Sequence, residues 1–100
     1  MTVPAPVLAE WWRDTAQQHY VRSFFVVEDT TEDIARRAGV AIGRLRQGHE
    51  ATRAGRTRVS AVDAIVMASA AARRDAVFTS DPGDLQRLSG SFPGVAILRV

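Results

Sequence analysis

The chain contains no cysteine and no lysine. The first absence excludes disulfides, thiolate zinc sites and sulfur chemistry, and it fits a reducing compartment. The second leaves all thirteen basic positions to arginine, the better bidentate ligand for phosphate. Long apolar runs are missing too. No stretch approaches the roughly 18 to 20 residues that a bilayer span requires, and no charged segment leads an apolar one at Met1. A soluble, cytoplasmic protein without a membrane partner is the expectation. His19 and His49 have no second ligand at helical spacing, so zinc chemistry has little to build on. No serine stands in a nucleophile motif. The net charge is only +2 over 100 residues and is by itself no argument for nucleic acid. A chain of this length is expected to form one domain, 1–100, around a single core.

What is present is an alternation of helical and strand patterns. Val3–Pro6 is expected to be extended, because each proline disfavours helix for the residue before it. Val7, Leu8, Trp11 and Trp12 recur at helical spacing and predict one helix from Val7 to about Tyr20, with both Trp residues as packing groups. Ser23–Val27 is aromatic and β-branched, which reads as a short buried strand. A helix is expected from Thr31 to about Gln47, with Glu32 and Asp33 complementing its amino-terminal dipole and Gly48 stopping it. Residues 48–58 read as a loop, made locally basic by Arg53, Arg56 and Arg58 next to Arg44 and Arg46. Ala61–Ala72 is apolar nearly all round, as in a buried helix. A strand at Ala76–Thr79, a helix after Asp84 and a final strand at Val95–Arg99 complete an α/β domain with a largely parallel sheet. Carboxylates then fall at a helix start (Asp63) and just past a strand's carboxyl end (Asp81, Asp84), where open parallel sheets build their sites. Acids so placed point to a metal site.

Three segments carry a family resemblance: Val3–Glu10, Val62–Ala68 and Thr79–Leu85. In order and spacing they resemble successive motifs of the PIN-domain nucleases, particularly the VapC-type toxins of toxin–antitoxin pairs. The resemblance implies a PIN-like three-layer α/β fold and a ribonuclease dependent on Mg²⁺ or Mn²⁺. It also implies an RNA substrate, an inhibiting antitoxin protein and a homodimer. On the matched positions, Glu10, Asp63 and Asp81 would be the catalytic and metal-holding acids, with Asp84 as an auxiliary carboxylate and Thr79 and Ser80 positioning a water. The match begins after the family's first strand and helix, a unit of about 30 residues that carries the first aspartate. In the family that strand lies mid-sheet, so the resemblance implies two neighbouring strands with unpaired edges. A late start, a decayed gene and completion by another chain are three explanations that the sequence leaves open.

Each acid also has a plain structural reading. Asp63 stands three residues after Ser60, the spacing of a capping box. Asp81 before Pro82 has the form of an N-cap with proline at N1, and Asp84 then falls in the first turn. Glu10 lies on the polar flank of its helix, where most glutamates are solvated. Capping and metal binding are compatible for one carboxylate. Two rival functions accompany the nuclease reading. Residues 31–48 have the spacing of a DNA-binding helix-turn-helix, which requires a break at Gly39. An inactive module that binds an antitoxin through its first two helices, without metal or turnover, is the other.

Overall fold

The computed structural model describes residues 1–48, 59–80 and 82–100. The basic loop expected at 48–58 therefore lies almost wholly outside the described residues, as does Asp81. The element order is β1 (Thr2–Pro4), α1 (Ala5–Trp11), α2 (Ala16–Arg22), β2 (Val26–Glu28), α3 (Glu32–Gly48), α4 (Ala61–Arg73), β3 (Val77–Thr79), α5 (Gly83–Arg87) and β4 (Ile97–Arg99). The domain is mixed α/β, and its strands pair in parallel. They form two separate two-stranded sheets, β1 with β2 and β3 with β4. No described helix is long and apolar enough to cross a membrane.

The core is built on α3 and α4. Ile34, Ala38 and Ala41 from α3 meet Ala64, Met67, Ala68 and Ala70 from α4, and Leu85, Leu88, Phe92 and Val95 close the far side. Alanine on both helices lets their axes approach closely, so the pair buries its stripe with few large side chains. Helix α3 runs unbroken through Gly39 and Gly43, and the turn that a helix-turn-helix needs at Gly39 is absent. Helix α4 starts as its sequence predicts: Ser60 Oγ accepts from the Asp63 N–H at 3.1 Å, and the Asp63 carboxylate accepts from the Ser60 N–H at 3.3 Å. It ends in a Schellman motif. The Asp75 N–H donates to the Ala70 carbonyl, and Arg74 sits in the left-handed region at φ 56°, ψ 47°. Glycine is the usual occupant there, and a residue with a Cβ gives up roughly 1–2 kcal/mol.

The first helical region departs from expectation. The single helix expected from Val7 to Tyr20 is two short helices separated at residues 12–15. Thr15 caps α2 through a capping box with Gln18, and the Gln18 amide also donates to the Trp11 carbonyl at 2.7 Å. One glutamine thus ends α1 and starts α2. The Thr15-x-x-Gln18 spacing is a helix-start signal that the apolar periodicity masks. Trp11 and Trp12 do pack, edge to face, on Phe25 and on the His19 ring respectively. They form a satellite cluster away from the main core and Trp11 remains partly exposed. Strand β2 is shorter and later than the expected Ser23–Val27. Helix α5 begins at Gly83 with Pro82 at its N-cap, one residue beyond the Asp81 cap and Pro82 N1 expected from the sequence.

Candidate functional site

A groove of about 510 Å³ opens between β1 and β3, floored by Val66 and Ala70 of α4. No residue of β2 or β4 lines it, so its walls are the edges that the two strand pairs turn away from their partners. Backbone pairing fixes which groups face outward. The Met1 carbonyl accepts from the Val26 N–H, and the register sets Thr2 against Val26. In a parallel ladder, alternate residues address opposite sides, so Thr2 directs its N–H and C=O away from β2. On the other wall the Val77 N–H donates to Ala96, and the Thr79 carbonyl accepts from Val100. Phe78 then directs its backbone groups away from β4. Two open parallel edges thus flank one apolar-floored groove, an arrangement that normally leaves donors and acceptors to water or to another strand.

Two of the expected acids open on this groove. Glu10, from α1, is exposed and makes no hydrogen bond or ion pair among the described residues. Asp63, from the first turn of α4, is half-buried and holds one oxygen against the Ser60 N–H, so its structural role is realised while it lines the groove. Thr79, at the carboxyl end of β3, lines it as well. Asp84 is not among the lining residues and approaches Arg87 at 3.6 Å across one turn of α5. Asp81 lies outside the described residues. The sequence did not single out Asp75, a third acid on the groove, which is neighboured by Arg73 at 3.8 Å. Its only signal was its place two residues before a strand.

The donor set fits a hard divalent cation in part. Mg²⁺ takes one or two direct carboxylates and keeps several waters, and Glu10 and Asp63 supply that number from two elements. Among the described residues no three such acids or histidines gather closely enough to enclose an ion. Away from the groove, Glu28 at the end of β2 accepts from Ser69 Oγ at 2.8 Å and from Arg73 at 2.9 Å. This network ties the β1–β2 pair to α4, and Arg73 also lines the groove. His19 bonds Asp14 at 2.7 Å on the surface, outside any site. No protein-family model, curated protein or solved structure matches this chain.

Proposed function

We propose that this chain is a PIN-like domain related to the VapC-type endoribonuclease toxins, with the groove between β1 and β3 as its site. The observation that carries the reading is the opening of Glu10 and Asp63, from helices distant in sequence, on one groove between two parallel strand pairs. The lateral order β2, β1, groove, β3, β4 also agrees with a PIN-like three-layer fold in which a middle strand occupies the groove. Glu10, Asp63 and Asp81 would hold Mg²⁺ or Mn²⁺, with Asp84 as an auxiliary carboxylate once released from Arg87. A bound ion of this kind would lower the pKa of its water toward the attacking hydroxide and would offset charge on the leaving oxygen. Asp63 is oriented for that task by Ser60, because a carboxylate held at one oxygen presents the other in a fixed direction. Glu10 is free to adjust to substrate. Thr79, on the groove wall, and Ser80 beside it position a water. The substrate is RNA, the regulator is an antitoxin protein, and the chain acts as a homodimer in the cytoplasm.

A helix-turn-helix function has no comparable support, since α3 is continuous where that motif turns. The direct test is cleavage of a structured RNA in Mn²⁺, by this chain and by a version with a strand–helix unit joined ahead of Met1. Cutting by either protein, abolished by EDTA and lowered about a hundredfold or more in Asp63→Asn and Asp81→Asn, is the expected result. Absence of both cutting and metal binding in the two proteins would overturn the reading in favour of an inactive binding module.

A further inference from the structure

A second groove, of about 550 Å³, lies between α3, the end of α4 and the turns that precede β4. Every charged residue among its described lining is an arginine. Arg36, Arg37 and Arg44 approach from α3 and Arg74 from the end of α4, and no described aspartate or glutamate lines it. Arg36 and Arg37 pair with Glu32 and Asp33 at i, i+4 on exposed surface, where such pairs are weak and readily exchanged. Arg44 and Arg74 make no ion pair among the described residues. Between the arginines the surface is apolar, with Val40 52% exposed and Pro93 exposed beside it.

Arg74 adds an independent observation. It occupies the left-handed C′ position of the Schellman motif, where glycine would fit without strain. Of the two positive-φ residues other than glycine among the described residues, the other is Asp14, a type that tolerates this region. A cation held in a strained conformation at the rim of a cationic groove is the kind of outlier that marks a binding role.

We propose that this groove docks an acidic amphipathic segment of a partner protein, with carboxylates on Arg44 and Arg74 and an aliphatic side chain on Val40 and Pro93. Charge complementarity selects an anionic occupant, and the apolar floor selects a peptide over a nucleic acid. Among the described lining residues no aromatic ring is exposed for bases to stack on, since Phe92 is 7% exposed and belongs to the core, which leaves only the arginine planes to a nucleic acid. An aliphatic floor with an arginine rim instead matches the helix-in-groove mode of peptide recognition. The proposal holds whether or not the other groove cleaves RNA.

The test uses fluorescence anisotropy with three labelled probes: an acidic peptide of about twelve residues with leucine at helical spacing, a polyglutamate of equal charge, and a single-stranded RNA of equal charge. The leucine peptide is expected to bind saturably, to outcompete both other probes and to weaken as salt rises. Arg74→Gly should lower its affinity about tenfold while thermal unfolding shows the variant at least as stable as the parent, and Val40→Ser should lower it about threefold. The gain in stability separates lost binding from lost folding. Absence of saturable binding, unchanged affinity in both variants, equal binding of polyglutamate, or tighter binding of RNA would each overturn the proposal.

Discussion

The helix pair and the strand pairs of this domain solve the same problem with unequal success. Helices α3 and α4 bury a continuous stripe in which Ala64, Met67 and Ala68 are fully inaccessible. The strands bury little: of the described strand residues Pro4 and Val77 alone are buried, while Val26, Phe78 and Leu98 are exposed. Phe78 and Leu98 are cross-strand partners, so the outward face of the β3–β4 pair is a bare apolar face. Parallel strands are ordinarily covered on both faces, and two-stranded sheets are marginal by themselves. Stability therefore resides in the helices, while the strands hold open the edges that flank the groove.

Substitutions should separate the two regions clearly. Met67→Ala removes a fully buried side chain and is expected to cost about 2–5 kcal/mol in denaturant unfolding. Phe78→Ser, on the exposed strand face, should change stability by no more than about 0.5 kcal/mol, and a cost as large as that of Met67→Ala would erase the distinction. Glu28→Gln tests the tie between them. It removes the charge that receives both Ser69 Oγ and Arg73 and leaves a partly buried guanidinium with only the more distant Asp75, at 3.8 Å, as an ionic partner, at a cost of about 1–3 kcal/mol. Ser60→Ala should cost about 1 kcal/mol by the loss of one half of the capping box at the start of α4. At the other end of that helix, Arg74→Gly should raise stability by about 1 kcal/mol through relief of the left-handed strain, as read by thermal unfolding.

The sequence revealed most where one element decides its own structure. The Ser60/Asp63 box, the apolar face of α4 and the acids that open α3 are local signals, and each element appears close to its expected bounds. The break between α1 and α2 was legible in Thr15 and Gln18 but was overridden by the recurrence of Val7, Leu8, Trp11 and Trp12. Strand pairing was less accessible. Val26–Glu28 and Val77–Thr79 show strand character, yet their division into two sheets depends on the groove that separates β1 from β3, a long-range separation that no local pattern encodes. Of the candidate site, Glu10 and Asp63 fall on one groove, Asp84 faces Arg87, and Asp81 lies outside the described residues. The arginine groove escaped a reading by segments, because Arg44 lies on α3 and Arg74 just beyond α4, and they line one groove only through the α3–α4 packing.

We propose the groove between β1 and β3 as a site for a divalent cation held by Glu10 and Asp63. Isothermal titration of the chain with Mn²⁺, beside Glu10→Gln and Asp63→Asn, tests it most directly. Saturable binding of Mn²⁺, weakened about tenfold or more in each variant while both unfold like the parent, is the predicted result. No binding, or binding that both variants retain unchanged, would contradict the assignment and leave Asp63 as a helix cap and Glu10 as a solvated surface residue.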